Sequence, residues 1–161
     1  MEGSLLRHWL ALFNSVLLTF AVLPVLEPIL RRGSLSGPAD DLWSVYSVVC
    51  QQLPGHSYFL LGQQMAYCQR NTAIYTTMAL CGLLWARWGC RLPSLSAGVL
   101  GLLALPLALD GLSQAIGLRE SNWELRTLTG SLFGLAAVWF AYPRFAACAE
   151  QLLKSAAPAA V

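Results

Sequence analysis

Four apolar segments near bilayer-spanning length constrain this chain more than any other feature. They cover residues 5–30, 71–88, 94–116 and 127–142. A transmembrane helix needs about 20 predominantly apolar residues, whereas the helices of a soluble bundle carry polar stripes. The composition agrees, because 57% of the residues are hydrophobic, only 11% are charged and the mean hydropathy is +0.57. We therefore predict an all-α, polytopic membrane bundle of four transmembrane helices, forming one integral membrane domain over residues 1–161.

The polar segment between the first two spans, residues 31–70, predicts additional structure. It opens with turn-forming residues at 33–38, and two acids at 40–41 favour the start of a helix there. Apolar residues then recur at helical spacing at Leu42, Val45, Tyr46, Val49 and Leu53. This helix is too polar to span, so we predict an amphipathic helix at the membrane interface or packed on the bundle. Residues 56–70 are predicted to form a re-entrant or surface segment.

The third span ends in a polar stripe, which is costly inside a membrane unless another polar group meets it. Asp110, Ser113, Gln114 and Gly117 follow i, i+3, i+4, i+7 spacing and therefore share one helix face. One interpretation is a binding site for a polar ligand or ion. The other is a buried hydrogen-bonded network, in which Arg119 or Arg70 neutralises Asp110 and fixes the helix packing. The sequence leaves both interpretations open.

Four spans place the first and third connections on the same side of the membrane. The polar segment that ends at Arg70 should therefore face the end of the third span, although the two are far apart in sequence. The planar guanidinium group of arginine can bind a phosphate or a carboxylate through two hydrogen bonds. The predicted ligand-binding set is Asp110, Gln114, Arg119, Glu120, Asn122, Arg126 and Arg70.

The distribution of charge excludes one class of partner, but it does not by itself decide the orientation of the protein in the membrane. A net charge of +2 without a Lys/Arg run argues against nucleic acid, so membrane lipids and other membrane subunits are the expected partners. Five basic residues lie on each side of the predicted spans, which is a tie by the positive-inside rule. If Arg70, Arg119 and Arg126 form internal ion pairs, the remaining charges favour termini inside, and we expect a bacterial inner membrane.

The sequence lacks several common catalytic motifs but contains one packing motif. The two histidines, His8 and His56, do not complete a Ser-His-acid triad, and no glycine-rich nucleotide loop is present. The five cysteines contain no Cys-x-x-Cys pair. Gly130 and Gly134 have the spacing that permits close helix contact, for which internal packing is favoured over dimerisation.

The ordered motifs from Cys50 to Gly134 resemble an uncharacterised membrane-protein family, domain of unknown function 2085. Its pattern runs Cys-His-Gln, Arg-Ser-Phe and Cys-x-Arg-Cys-Thr-Gly-Ile-Tyr, then Asp-Gly-x-x-Gln, Gly-x-Arg-Glu-Ser-x-Asn and an arginine before a glycine-rich helix. The matching positions here are Cys50, Gln52, Ser57, Cys68, Arg70, Thr72, Ile74, Tyr75, Asp110, Gly111, Gln114, Gly117, Arg119, Glu120, Ser121 and Arg126.

The departures from the family pattern fall in its Cys/His half. Gln51 stands where the pattern has histidine, and Asn71 stands where it has its last cysteine. The resemblance implies a tetrahedral zinc-type site of one His and three Cys, but only Cys50 and Cys68 of that set remain, so we predict no metal and no cofactor. The two cysteines could instead form a disulfide. His56 is interpreted as a hydrogen-bonded loop residue rather than a third ligand.

Two functions follow from these observations. The first is a non-catalytic integral membrane protein, an accessory or scaffold subunit of a larger complex that keeps the family scaffold with a degenerate Cys/His motif. The alternative is a membrane enzyme or carrier that acts on a lipid headgroup or small polar substrate through Asp110, Arg119 and Arg70. The sequence favours the non-catalytic function, because the Cys/His half of the pattern is damaged.

Overall fold

The computed structural model describes residues 2–88 and 93–156, and it is mostly helical. Two short strands and one 3₁₀ turn at Pro54–His56 lie between the second and third helices. The helices are α1 (Glu2–Arg32), α2 (Ser36–Ser47), α3 (Gln69–Trp88), α4 (Ala97–Ala115) and α5 (Trp123–Ala156), and the strands are β1 (Ser57–Leu60) and β2 (Gln63–Cys68).

The four long helices α1, α3, α4 and α5 run alternately up and down. At one end of the bundle the start of α3 meets the end of α4, where Arg70 pairs with Asp110. The start of α3 also meets the start of α5, where Arg126 Nη1 donates to Gln69 Oε1 at 3.0 Å. The end of α1 reaches the same side, since Arg32 contacts the carbonyl of Leu61 between the strands. We call this side the polar end.

Three helices are long and apolar enough to cross a membrane: His8–Arg32, Ala97–Ala115 and Trp123–Ser155. The predicted second span is α3, which has 20 residues but begins with Gln69, Arg70 and Asn71 and is more polar than the other three. The structure therefore confirms a mostly helical bundle with three helices that could span. It does not confirm four transmembrane helices.

A β-hairpin corrects the all-α prediction for residues 56–70. Strands β1 and β2 pair antiparallel, with Phe59 opposite Gln64 and Leu60 opposite Gln63. The two residues between them, Leu61 and Gly62, have φ of 54° and 79°, which suits the tight turn that matches the twist of two strands. Aromatic residues favour the strands. Met65, Ala66 and Tyr67 of β2 are buried, and Ala66 and Tyr67 pack with residues of α1 and α2.

Several predicted helix boundaries also shift. The amphipathic helix is present as α2 but ends at Ser47, earlier than its apolar pattern suggests. The third span starts at Ala97 rather than residue 94, because the Ser96 side chain caps the helix by accepting from the Val99 amide at 3.3 Å. The fourth span does not end at residue 142, because α5 continues to Ala156 with Pro143 inside the helix.

Close packing of α5 on α3 positions the polar end. A β-carbon at Gly130 would lie 2.7 Å from the Arg70 carbonyl oxygen, and one at Gly134 would lie 2.7 Å from the Ile74 carbonyl oxygen. Only glycine permits this approach of the two backbones. The interpretation of this spacing as internal packing is thereby confirmed, and the contact sets the start of α5 against the start of α3.

Candidate functional site

An open cavity of about 760 Å³ lies at the polar end of the bundle. Its wall is built from the segment after α2, the start of α3, the end of α4 and the start of α5. The polar side chains that line it are Cys50, Gln51, Gln52, His56, Cys68, Arg70, Asn71, Gln114, Arg119, Glu120 and Arg126. The two polar regions that the sequence predicts on one side of the membrane therefore meet in one cavity.

Asp110 lies behind the cavity wall and is neutralised there. Its side chain is only 1% exposed. Its Oδ1 accepts from Arg119 Nη2 at 2.8 Å, and its Oδ2 accepts from Arg70 Nη2. Arg70 Nη2 also donates to Gln114 Oε1 at 3.3 Å. A buried carboxylate is stable only when such partners replace its hydration, so Asp110 serves to hold two arginines at the cavity.

Arg126 differs from the other two cavity arginines, Arg70 and Arg119, which both pair with Asp110. The residue is 3% exposed, and its Nη1 donates to the carbonyl of Gly55 at 3.1 Å and to Gln69 Oε1 at 3.0 Å. Within residues 2–88 and 93–156, these acceptors are neutral and no carboxylate pairs with it. The buried Nε groups of Arg126 and Arg70 also lack hydrogen-bond acceptors in that part of the chain. Buried donors of this kind require a partner.

His56 contributes a neutral group to the cavity. The Gln114 side-chain amide lies 3.0 Å from His56 Nε2. Burial lowers the pKa of His56, and the positive charge of Arg126 lowers it further. The imidazole is therefore uncharged at neutral pH and does not balance the arginines. This geometry agrees with the interpretation of His56 as a hydrogen-bonded loop residue.

Cys50 and Cys68 lie side by side in the cavity wall as free thiols. Cys50 Sγ accepts from the Cys68 amide at 3.1 Å. A hydrogen bond from the Cys68 thiol, aided by the amides of Gln52 and Cys68, lowers the pKa of Cys50 to about 6. The same thiol–thiol hydrogen bond, together with burial, raises the pKa of Cys68. The predicted disulfide is not supported by this arrangement.

Most of the predicted ligand-binding residues meet at the cavity. Arg70, Gln114, Arg119, Glu120 and Arg126 line it, whereas Asp110 supports it from behind. Asn122 is the exception. Its side chain caps α5 by accepting from the Leu125 amide at 2.9 Å, and it does not line the cavity.

Sequence reasoning missed two glutamines that organise the site. Gln69 holds Arg126 and donates from its amide to the Ser57 carbonyl at 3.2 Å. Gln52 donates to the Trp43 and Ala66 carbonyls at 2.8 and 3.1 Å, which ties the loop after α2 to β2. The resemblance to the family pattern carried a signal for Gln52, but Gln69 had none, because its role depends on the hairpin.

No metal-binding cluster of three or more His, Cys, Asp or Glu side chains is present in the described parts of the chain. Gln51 and Asn71 occupy the positions at which the family pattern has histidine and cysteine, and Asn71 donates to the Val49 carbonyl at 3.1 Å. Two thiols do not form a closed zinc site.

Comparison with known families matches residues 50–140 to a family of predicted membrane proteins, DUF2085. The match covers more than half of the chain, including all of the cavity wall except Val49. The chain belongs to this family. An uncharacterised protein of Methanocaldococcus jannaschii, MJ1492, is 38% identical over 107 residues, which cover 65% of this chain and 68% of that protein. No solved structure matches the chain.

Membership of DUF2085 confirms the resemblance drawn from the motifs, and it supports a membrane location. The relative is archaeal. The bacterial inner membrane and the inward orientation of the termini stay predictions.

Proposed function

We propose that this DUF2085 protein is an integral membrane protein that binds a small anionic group, a phosphate or a carboxylate, in the cavity at the polar end. The observation that carries the proposal is the excess positive charge of the site. Arg70, Arg119 and Arg126 converge there, while the acids are the buried Asp110 and the exposed Glu120.

The arginines differ in what they can offer a ligand. Asp110 occupies one terminal nitrogen of Arg70 and one of Arg119. Arg126 is buried and donates to neutral acceptors, and no carboxylate among the described residues pairs with it. Guanidinium groups bind phosphates and carboxylates through paired hydrogen bonds, and a charge that is shielded from water interacts more strongly than an exposed one. Arg126 is therefore the main anion-binding residue of the proposal.

The proposal includes four membrane crossings, of which α3 is the one that is not apolar enough to be recognised by composition alone. Helix α3 runs alongside α1 and α5 between the polar end and the deeper contact of Asn14 with Gly82. If α1, α4 and α5 cross the membrane, α3 crosses the same layer, and its polar residues are shielded by the helices around it. The cavity then opens on one membrane surface, where a lipid headgroup and a soluble anion can both reach it.

Isothermal titration calorimetry on the detergent-purified protein tests the proposal. The ligands are inorganic phosphate, succinate and the short-chain lipids dihexanoyl phosphatidic acid and dihexanoyl phosphatidylcholine. We expect phosphate or succinate to bind if the ligand is a soluble anion. We expect phosphatidic acid to bind, and phosphatidylcholine not to bind, if the ligand is a lipid headgroup.

Two matched variants locate the binding. Arg126→Gln should abolish the heat of binding, because it removes the buried charge but keeps a hydrogen-bond donor. Arg87→Gln removes a charge from the exposed far end of α3 and should bind as the unmodified protein does. Absence of binding in every arm, or equal binding by Arg126→Gln, would overturn the proposal. The accessory-subunit role stays a prediction.

A further inference from the structure

The pair of cysteines in the cavity wall is a second chemical feature that anion binding does not use. Both sulfurs lie at the start of α3, where the helix presents unpaired amides and the positive end of its dipole. Cys68 directly precedes the helix. Cys50 Sγ accepts from the Cys68 amide at 3.1 Å. For Cys50, such surroundings favour the thiolate form, which is the nucleophile.

We propose that Cys50 and Cys68 form a thiol–disulfide exchange centre whose substrate is a small disulfide carrying carboxylates. The proposal rests on the proposed anion-binding function, because Arg70, Arg119 and Arg126 line the same cavity and would hold the carboxylates. The cavity of about 760 Å³ is large enough for a small organic ligand, since typical ligand pockets measure roughly 300–1,000 Å³.

The two thiols have different roles. Cys50 is the attacking thiol, because its sulfur accepts from the Cys68 amide at 3.1 Å, and the hydrogen bonds to this sulfur lower its pKa to about 6. Cys68 is the resolving thiol. Its pKa is raised mainly by its hydrogen bond to Cys50, and this cause disappears once Cys50 has reacted. The first step therefore makes the Cys68 thiol easier to deprotonate, as the second step needs.

The reaction balances in two steps. The Cys50 thiolate attacks one sulfur of the ligand, so that a mixed disulfide forms and the first ligand thiolate leaves with the electron pair. Cys68 then loses its proton to water and attacks Cys50 Sγ, which forms the Cys50–Cys68 disulfide and releases the second ligand thiolate. The protein dithiol is oxidised by two electrons, the ligand disulfide is reduced to two thiols, and protons from the protein thiols balance the two products.

The test uses the full chain with Cys81, Cys90 and Cys148 replaced by serine, so that only the pair can react. The probe is 5,5′-dithiobis(2-nitrobenzoate), a disulfide with two carboxylates whose released thiol is coloured. We expect two equivalents of coloured thiol per protein and a protein mass lower by two hydrogen atoms. With Cys68→Ser we expect one equivalent and a persistent mixed disulfide. With Cys50→Ser we expect the rate to fall by about tenfold or more.

A neutral disulfide, 4,4′-dithiodipyridine, separates this inference from the proposed function. The anionic probe should lose about tenfold in rate in Arg126→Gln, because attraction to a charged site changes rates on that scale, while the neutral probe keeps its rate. One equivalent with a lasting mixed disulfide in the parent chain would overturn the exchange centre. Two equivalents with equal sensitivity of both probes to Arg126→Gln would keep exchange and overturn the anion-binding function.

If the triple serine background folds poorly, the unmodified chain is treated with the same probe. Peptide mass spectrometry then locates the bond, and a Cys50–Cys68 disulfide is the expected product. A mixed disulfide at Cys50 that persists, or modification confined to the other cysteines, would overturn the inference.

Discussion

Two buried polar clusters differ in what they leave unsatisfied. The first, which we call the buried clamp, consists of Asn14, Gly82 and Tyr142: Asn14 donates to the Gly82 carbonyl at 3.1 Å and accepts from the Tyr142 hydroxyl at 2.7 Å. It is neutral, closed and hydrogen-bonded, and it ties α1, α3 and α5 together. The second is the arginine cluster at the polar end, which borders a cavity and has buried donors that find no acceptor among the residues the structure describes.

The difference separates structure from function. A neutral cluster that satisfies itself contributes to the geometry of the bundle and requires nothing further. A charged cluster with spare donors at an open cavity is costly to fold and is complementary to an anion. Within the second cluster, Asp110 has a structural role, and Arg126 has the proposed binding role.

The largest effect is expected from Asp110→Leu. This substitution leaves Arg70 and Arg119 without their shared carboxylate, and removing one partner of a buried pair costs about 3–5 kcal/mol. We expect the unfolding free energy, measured in mixed detergent with increasing dodecyl sulfate, to fall by that amount. A variant as stable as the unmodified protein would contradict this structural role, and weakened anion binding in it would show that Asp110 positions Arg70 and Arg119 for the ligand.

A smaller effect is expected from Gly82→Ala in the buried clamp. The added β-carbon would lie 2.2 Å from Asn14 Oδ1 and 2.9 Å from the Tyr142 hydroxyl oxygen. Overpacking of this kind typically costs about 1–3 kcal/mol. The double variant Gly82→Ala with Asn14→Ala removes the clashing amide and should recover part of the loss in the same assay. No recovery would contradict the steric explanation.

The sequence predicted the helices and the convergence of the polar regions for a clear physical reason. Apolar length and an even number of crossings determine which loops share a side, so the meeting of Arg70 with Asp110 could be foreseen. The hairpin could not, because residues 57–68 are a short run without strong periodicity, and such runs do not distinguish strands from helices.

Side-chain orientation at the site was also beyond the sequence. Spacing placed Asp110 and Gln114 on one helix face, but it did not show that Asp110 points behind the wall while Gln114 lines the cavity. Asn122 has a polar side chain of the kind that binds ligands, but in the structure this side chain caps α5. The predicted end of the fourth span at residue 142 lies just before Pro143, which lacks an amide donor, yet α5 continues through this proline, as membrane helices tolerate.

The smallest stability effect is expected from the protonation of His56. The pKa of His56 is lowered in the folded protein from its ordinary value of 6.5, so the unfolded chain binds the proton first as the pH falls. The contribution of His56 to stability is therefore present above pH 6.5 and declines below it. His56→Gln should lessen the drop in unfolding midpoint between pH 7 and pH 5. An identical drop in both proteins would contradict this.

The central claim is that the arginine cluster binds an anion and that the buried clamp only holds the helices. The most direct measurement compares Arg126→Gln with Tyr142→Phe, recording the thermal midpoint of each with and without a saturating concentration of the anion that binds the unmodified protein. We predict that Tyr142→Phe has a lower midpoint but keeps the full anion-induced increase, and that Arg126→Gln loses this increase. Loss of the increase in Tyr142→Phe, or its survival in Arg126→Gln, would contradict the account.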